Sequence, residues 1–424
     1  MARILYTFLF YLLLPLVCLR LWWRGRRAPA YRERWLERFG VGAPALEDCI
    51  WVHAVSVGEA LAAQPLVNAL LREYPQTPVL VTTMTPTGSE RVRAIWGERV
   101  VHVYAPYDLP LALRHFLDRT RPRLLVIMET ELWPNMLHET RKAGIPVLLA
   151  NARLSERSAR GYGKVSALSR GLMADLSLVA AQDEATAGRF RELGVAPAKV
   201  QVTGSVKFDL TPSATVLEEA ELLRAQWQLE LRPVLVAGST HAGEDQPVLD
   251  AFQALRARYP SALLILVPRH PERFEDVARL IERNGLSYVR RSDATPVTPD
   301  TAVLLGDSIG ELLRWFALGH VAFIGGSWVP VGGHNMLEPI AFGLPTFSGP
   351  AVFKFQSIAD ELCAADALTR VPDGEALAQA VQALWEDPAA YDLQRAAGLA
   401  VLERNRGAVE RQLVLIRRLL ALPS

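Results

Sequence analysis

Two carboxylates and one lysine follow short apolar runs in the first half of the chain. Glu59 ends the segment WVHAVSVGE, Glu129 lies in METELWPN, and Lys207 lies in GSVKFD. A carboxylate at a strand end can accept a proton from an attacking hydroxyl, and a lysine there can steady a phosphate or a carboxylate. These residue types in these places indicate group-transfer chemistry on a hydroxyl.

Glu59 and Lys207 also have plain structural explanations, and so do Trp133 and the turn Thr82–Ser89. Ser56 and Glu59 have the spacing of a capping box, in which the carboxylate only bonds back to the start of a helix. Lys207 can be a solvated surface lysine, and Trp133 can be core rather than a platform for a sugar or an acyl chain. The hydroxyl-rich turn Thr82–Ser89 either binds an oxyanion or sugar or caps a helix. The residue pattern leaves these alternatives open.

The second half is rich in turns that can bind anions. They are Ala237–Asp245 (AGSTHAGED), Val267–Arg273 (VPRHPER), Gly306–Glu311 (GDSIGE) and Gly332–Glu338 (GGHNMLE). Glycine lets the backbone approach a ligand, and free N–H groups at a helix start hold phosphate. Several such turns at one sheet edge fit a nucleotide phosphate, and Glu338 is placed to bond ribose hydroxyls.

Several familiar signatures are missing from the sequence. There is no GxGxxG after a strand, no GxxxxGK[ST], no HExxH and no Asp-x-Asp pair, so we expect neither a dinucleotide oxidoreductase nor a bound metal. Cys18, Cys49 and Cys363 are widely separated, so no zinc ribbon or disulfide framework is indicated. The formal net charge is +1, so bulk attraction to nucleic acid is not indicated either.

The elements that position these residues alternate between apolar runs of strand length and longer amphipathic stretches. The runs predict strands over Ile50–Val55, Val79–Thr83, Val101–Tyr104, Leu124–Met128, Val147–Ala150, Leu178–Ala181, Val200–Thr203, Val234–Ala237, Leu263–Val267, Val303–Leu305, Val321–Ile324 and Leu344–Phe347. Helices are predicted over Glu59–Glu73, Glu184–Leu193 and, with a break near Pro388, Glu375–Leu420. Such alternation predicts an α/β chain with parallel sheets.

The length of 424 residues and a change of pattern after Asp209 indicate two doubly wound, Rossmann-like domains. We predict a membrane anchor with a basic flank over 1–27, a first domain over 28–208, a connector over 209–231, and a second domain with terminal helices over 232–424. Ligands of such folds bind at the carboxyl ends of strands, so a cleft between the domains is the expected site.

Residues 4–19 are nearly all apolar, and Leu21, Trp22 and Trp23 follow. The pattern argues against a cleaved signal peptide, and a spanning anchor and an interfacial helix both remain. Positive charge marks the cytoplasmic side, which predicts a cytoplasmic body. The basic residues of the flank either hold anionic head groups or an anionic lipid substrate, or they only fix topology. They are Arg20, Arg24, Arg26, Arg27, Arg32, Arg34 and Arg38.

Taken together, these segments resemble the 3-deoxy-D-manno-oct-2-ulosonic acid (Kdo) transferases, glycosyltransferase family 30. The resemblance covers essentially the whole chain, from the anchor with its arginine-rich flank through HAVSVGE, TTMTPTGSE, METELWPN, NARLSERS, GSVKFD, LVPRHPERF, GDSIGEL and GGHNMLE. One departure is Met336, where the family pattern leads us to expect proline. The resemblance implies the GT-B fold, with an acceptor-binding first domain and a CMP-sugar-binding second domain.

The resemblance also implies a function. The chain is expected to be an inverting glycosyltransferase that moves Kdo from CMP-Kdo to the lipid A precursor lipid IVA, at the cell inner membrane, without a metal or other cofactor. Glu59 would be the general base, and Glu129 and Lys207 would support the transition state. The residues implied in CMP binding are Pro268, Arg269, Ile309, Gly310, Glu311, Asn335, Met336, Leu337 and Glu338. The alternatives are a GT-B transferase using another nucleotide sugar, such as a UDP sugar, and a membrane-tethered binding protein without turnover.

Overall fold

This computed structural model describes residues 2–26, 28–293 and 295–421, apart from the side chain of Leu231. Within these residues the chain forms two parallel sheets of seven strands each. Arg27 of the predicted basic flank lies outside the described residues. The chain divides into two units, Met1–Asp209 with Asn405–Ser424 and Leu210–Arg404, and each unit contains one sheet.

The strands of the first sheet are β1 Cys49–His53, β2 Val79–Thr83, β3 Val101–Tyr104, β4 Pro122–Met128, β5 Val147–Ala152, β6 Leu178–Ala181 and β7 Val200–Val202. Those of the second are β8 Val234–Thr240, β9 Leu263–Pro268, β10 Tyr288–Arg290, β11 Val303–Leu305, β12 Val321–Ile324, β13 Thr346–Ser348 and β14 Leu368–Arg370. The first sheet has the order β3-β2-β1-β4-β5-β6-β7, and the second has β10-β11-β9-β8-β12-β13-β14. Both orders reverse beside the first strand of the sheet, as doubly wound folds do.

Helices connect successive strands. They are α1 Ala2–Arg24, α2 Val57–Glu73, α3 Pro86–Trp96, α4 Pro110–Thr120, α5 Pro134–Lys142, α6 Glu156–Lys164, α7 Ser166–Ala174, α8 Glu184–Glu192, α9 Ala214–Gln226, α10 Asp245–Arg258, α11 Phe274–Arg283, α12 Leu312–Leu318, α13 Leu337–Ala341, α14 Gln356–Ala364, α15 Gly374–Glu386, α16 Pro388–Asn405 and α17 Ala408–Leu420. Short 3₁₀ turns span Pro29–Arg32, Trp35–Phe39, Gly97–Arg99, Pro197–Lys199, Val206–Phe208, Leu229–Leu231 and Pro271–Arg273.

The predicted α/β class is confirmed, and every predicted strand is present. The strands β10 and β14 were missed because each is a three-residue edge strand without a buried apolar run. The predicted break near Pro388 is confirmed, since α15 ends at Glu386 and α16 begins at Pro388.

Side chains of the first sheet fill a core on each face. Along β1, Cys49 and Trp51 enter the core cluster on one face, while Ile50 and Val52 enter the cluster on the other. Both sets are fully buried, as expected for a parallel strand covered on both sides. This arrangement leaves the carboxyl ends of the strands, rather than the faces of the sheet, for binding and chemistry.

The last helix, α17, belongs to the first unit. Its apolar face, which includes Leu413, Ile416 and Leu419, joins the core cluster that contains α2. The carboxylate of Asp209 accepts the backbone N–H groups of Gly407 and Val409, both at 2.6 Å. The predicted domain boundaries placed this helix in the second domain, because nothing local in its sequence indicates which sheet it covers.

Helix α1 is the one helix in the described part of the chain that is long and apolar enough to cross a membrane, with a mean hydropathy of 2.1. One side of it lies on the first unit, where Phe10, Leu14 and Val17 pack against a small cluster around Tyr107. The opposite side is exposed, and its large apolar residues include Ile4, Leu5, Phe8, Leu12 and Leu16.

Two arginines of the basic flank are part of the fold rather than free to hold head groups. Arg38 is 1% exposed, donates to the carbonyl of Met84 at 3.1 Å, and lies over the ring of Tyr104. Arg34 pairs with Glu37 at 2.7 Å. The two lie more than a helical turn beyond α1, where the chain has already entered the first unit.

We predict that Asp209→Ala loosens α17 locally. The change removes the acceptor of two N–H groups at the helix start, which should cost about 1–2 kcal/mol of local stability. Hydrogen–deuterium exchange of residues 408–420 should therefore accelerate about 5- to 30-fold. Asp392→Ala, an exposed position on α16, should leave this exchange unchanged. Unaltered exchange in Asp209→Ala would show that apolar packing alone holds the helix.

Candidate functional site

The turn from β1 into α2 holds Glu59 in place through three hydrogen bonds. Ser56 is the N-cap residue and accepts the N–H of Glu59 at 3.3 Å. The Glu59 carboxylate accepts the N–H of Val55 at 2.8 Å and the hydroxyl of Ser56 at 3.0 Å. The capping explanation is therefore confirmed. The one difference from the usual capping box is that the Glu59 carboxylate accepts the backbone N–H of Val55 instead of that of the N-cap residue Ser56. Capping does not exclude chemistry, because each carboxylate oxygen has a further lone pair.

The surroundings of Glu59 favour its neutral form. Its side chain is buried, with 9% of the residue exposed. Burial, followed by the charge of Glu131, raises its pKa to about 7, and Glu129 adds to the rise; the bonds from Val55 and Ser56 act in the opposite direction. A carboxylate with such a pKa can take up and release a proton near neutral pH.

The turn after β4 carries Glu129 and Glu131. Glu129 has φ 56°, a left-handed conformation that non-glycine residues adopt rarely. Glu131 accepts the indole N–H of Trp133 at 3.2 Å, and the Trp133 ring lies edge-on to His53, with centroids 4.8 Å apart. Trp133 is half-buried, packs against His53 and also holds the Glu131 carboxylate through its indole N–H.

Lys207 lies in the 3₁₀ turn Val206–Phe208, which contacts α2. The side-chain oxygen of Asn151 fixes this turn by accepting the N–H of Val206 at 3.2 Å. Burial lowers the pKa of Lys207, while Glu129 raises it. Lys207 is half-buried, so it is not the solvated surface lysine that the sequence also allowed.

The first unit therefore places Glu129 within electrostatic reach of both Glu59 and Lys207, although the three follow β4, β1 and β7. Their catalytic roles remain predictions. The sequence analysis did not single out Glu131, whose charge acts on Glu59 more strongly than that of Glu129. The alternation Glu-x-Glu in METELWPN was the available signal.

In the turn Thr82–Ser89, Thr85 accepts the N–H of Gly88 at 3.1 Å, which confirms a helix cap.

In the second unit, the residues expected to bind CMP follow β9, β11 and β12, all at the carboxyl edge of the sheet. Pro268 is the buried last residue of β9, and the exposed side chain of Arg269 has no hydrogen-bond or ion-pair partner among the described residues. Ile309 is 76% exposed beside Gly310, which has φ 89°. Arg269 and these two residues are accessible to a ligand.

Glu311 is more constrained than the sequence indicated. Its carboxylate pairs with Arg291 at 3.0 Å and with Arg314, and it accepts the hydroxyl of Ser308. These partners lower its pKa, although burial opposes them. A role of this carboxylate in CMP binding remains a prediction. In that role Glu311 would contact CMP while it also pairs with Arg291 and Arg314.

The segment Asn335–Glu338 is ordered around one side chain. Asn335 donates to Glu338 at 3.1 Å and accepts the N–H of Leu337 at 3.2 Å. Met336 and Leu337 are fully buried, so only their backbone could reach a nucleotide. Burial raises the pKa of Glu338, while Asn335 and the nearby Arg269 lower it.

Each unit contains one doubly wound parallel sheet, and two such units in one chain are typical of the GT-B class. A UDP-GlcNAc 2-epimerase from Neisseria meningitidis, solved with UDP-GlcNAc, is similar in fold, with a TM-score of 0.58 at 14% identity over 84% of this chain and 99% of that one. That likeness concerns the fold alone.

Sequence comparison gives the family. Residues 33–210 match the family profile described as 3-Deoxy-D-manno-octulosonic-acid transferase (kdotransferase). A 3-deoxy-D-manno-octulosonic acid transferase of Haemophilus influenzae is 42% identical over 98% of this chain and 98% of its own length. A 3-deoxy-D-manno-octulosonic acid transferase of Bordetella pertussis is 39% identical over 97% of this chain and 98% of its own length. The chain belongs to the Kdo transferase family, as the motifs implied, and is a glycosyltransferase.

We predict a pH-dependent stability difference between the wild type and Glu59→Gln. The pKa of Glu59 rises from 4.5 to about 7 on folding, so between these values the folded protein holds a proton that the unfolded chain releases. The free energy of unfolding of the wild type should therefore fall, relative to the variant, by about 3 kcal/mol as pH increases through this window. Thermal unfolding from below to above the window measures it.

Glu375→Gln serves as the control, because Glu375 lies in the first turn of α15 but is exposed. Its unfolding temperatures should run parallel to those of the wild type. Parallel curves for Glu59→Gln as well would contradict the raised pKa.

Proposed function

We propose that this protein is an inverting glycosyltransferase that moves Kdo from CMP-Kdo to lipid IVA in lipopolysaccharide core biosynthesis. The observation that carries the proposal is the 42% identity to a curated Kdo transferase over almost the whole of both chains. The donor and acceptor are supported further by the chemistry that each unit offers at the carboxyl edge of its sheet.

In the proposed reaction, Glu59 is the general base. A hydroxyl of the acceptor attacks the anomeric carbon of Kdo, its proton passes to the Glu59 carboxylate, and the bond from that carbon to the phosphate oxygen of CMP breaks. Kdo is thereby transferred with inversion, and CMP leaves with the electron pair. The pKa of about 7 supports this role, because a base poised near the working pH is the most effective.

Glu129 and Lys207 are proposed to support the transition state. Lys207 sits half-buried with Glu129 as its electrostatic partner, so a positive charge is kept where bulk water screens it weakly. A fixed cation of this kind can stabilise charge that develops as the phosphate departs or that the Kdo carboxylate carries. The charge of Glu129 raises the pKa of Lys207, against the effect of burial, and adds to the negative surroundings of Glu59.

In the second unit, we propose that the three turns after β9, β11 and β12 bind CMP. Arg269 offers a guanidinium that has no partner in the described part of the chain, and Gly310 offers a backbone that a ligand can approach closely. Glu338, held by Asn335, offers an acceptor for ribose hydroxyls. CMP is a good leaving group, so this binding mode needs no strong general acid.

We also propose that the protein sits on the inner membrane with its body in the cytoplasm. Helix α1 is docked on the first unit by hydrogen bonds from Arg3 and Thr7 to Asn135, at 3.0 Å each, and by the side that carries Phe10, Leu14 and Val17. The exposed side is apolar over the same length. A helix docked in this way can hold the body at a lipid surface and bring the lipid acceptor within reach.

The reaction is tested by incubating purified protein with CMP-Kdo and lipid IVA and reading the lipid by mass spectrometry. The wild type should add whole Kdo units. Glu59→Gln should lose about 10²- to 10⁴-fold in rate, the range for a general base. Glu375→Gln should behave as wild type. Full activity of Glu59→Gln would reduce Glu59 to a helix cap, and no product from the wild type would point to another donor or acceptor.

Membrane attachment is tested with Leu12→Asp/Leu16→Asp, because these side chains are 65% and 61% exposed. Each substitution replaces an apolar side chain that gains about 1.5–3 kcal/mol on burial. Binding to vesicles with anionic lipid, measured by co-flotation, should fall at least about 10-fold. The control, Leu222→Asp/Leu393→Asp, changes residues that are 73% and 71% exposed elsewhere and should float as wild type. Equal flotation of both variants would contradict the assignment.

A further inference from the structure

Two histidines of the second unit meet although they lie 93 positions apart in the chain. The Nε2 atoms of His241 and His334 are 2.8 Å apart, and the two rings stack with an angle of 9° between their planes. His270 lies edge-on to His241, with ring centroids 5.1 Å apart. Both histidines lie in turns whose backbone the sequence associates with anion binding, but the proposed function gives their side chains no role.

One buried carboxylate makes the pair possible. Glu244 is fully buried and accepts four backbone N–H groups: those of His241, Gly326, Ser327 and Trp328, at 2.6 to 2.9 Å. It thus ties the loop after β8 to the loop after β12. The two histidines are held by this connection rather than meeting by chance on a mobile surface.

A glycine leaves room for the two rings. A Cβ atom on Gly326 would come within 2.9 Å of the His334 ring and 3.3 Å of the His241 ring, and Gly326 itself has φ 66°. The N–H of Gly333 donates to the carbonyl of Gly326 at 2.7 Å, which brings His334 back over this position. The loop is therefore shaped around the imidazole pair.

The bonding of the pair leaves two ring nitrogens available. If both rings are neutral, one Nε2–H donates to the other Nε2, so one ring offers Nδ1–H as a donor and the other offers a bare Nδ1. Neither Nδ1 has a hydrogen-bond partner within the described residues.

The charges around the pair favour an anion. The charged and titratable groups that act on the pair are Glu244, Arg269, His270, Arg273 and Lys354. The Glu244 carboxylate is already saturated by four N–H groups, Arg273 is paired with Asp245, and Arg269 has no partner among the described residues. Burial, together with these cations, lowers the pKa of both histidines, to about 3 for His334.

We propose that His241 and His334, together with Arg269, form the subsite for the phosphate of the bound nucleotide. The proposal rests on the proposed function for the identity of the nucleotide. Its position follows from the sequence, because His334 is adjacent to Asn335, which orders Glu338 at the expected ribose subsite. A 5′-phosphate is one ester bond away from that ribose.

The test compares CMP with cytidine, which lacks the phosphate, on the full-length protein and on His241→Gln and His334→Gln. Each variant should bind CMP about 10- to 100-fold more weakly and cytidine with unchanged affinity, because only the charge-assisted bonds are lost. Unchanged cytidine binding also verifies that the second unit is folded. The control is His115→Gln, an exposed position on α4.

Three results would overturn the proposal. Equal CMP affinity in the wild type and both variants would remove the pair from the site. Loss of CMP-Kdo binding with CMP binding intact would assign the pair to the sugar carboxylate. Loss of cytidine binding along with CMP would make its role structural. Failure of the wild type to bind either CMP or cytidine would instead reject the nucleotide assigned under the proposed function. Failure of the proposed function is thus distinguished from failure of the histidine subsite.

Discussion

Buried carboxylates that accept backbone N–H groups organise the carboxyl edge of each sheet. Parallel strands end there in loops and helix starts whose N–H groups lack partners, and each such group left buried and unpaired costs about 1–3 kcal/mol. Glu244 satisfies four of these groups, Asp108 accepts those of Asn135 and Met136 at 3.1 and 2.7 Å, and Glu59 accepts that of Val55. The loops that carry the candidate residues are positioned by these bonds.

The same constraint explains why Glu59 can be both a cap and a base. Hydrogen bonds to a carboxylate stabilise its charged form, so a cap that is well bonded is by itself a weak base. Burial and the charges of Glu131 and Glu129 act in the opposite direction and prevail, which leaves the pKa near 7. The second carboxylate of METELWPN therefore has a physical role, because its charge offsets the basicity that Glu59 loses by being held through hydrogen bonds.

The sequence could predict features that depend on residues close together in the chain. It could not predict which distant residues lie close together in the fold. Apolar runs predicted the strands, and the turn residues after them predicted the candidate site. The capping box predicted the position of Glu59 because it depends on residues only three apart. Asn151 holds the turn that carries Lys207, and Glu244 ties the loop of His241 to the loop after β12, although these partners are far apart in the chain. No local pattern carries such information, and the return of α17 to the first sheet escaped prediction for the same reason.

Three of the eight left-handed residues other than glycine in the described part of the chain lie at these sheet edges. Glu129 and Asn151, after β4 and within the end of β5, have φ values of 56° and 49°, and Ser239, near the end of β8, has 58°. A left-handed residue other than glycine costs about 1–2 kcal/mol, and Ser239 lies at the point where the register of β8 and β9 shifts. Glycine would relieve this cost but would loosen the chain where side chains must be aimed. The strain is tolerated at strand ends that carry or orient Glu129, Lys207 and His241, which ties the irregular backbone to the residues proposed to do the chemistry.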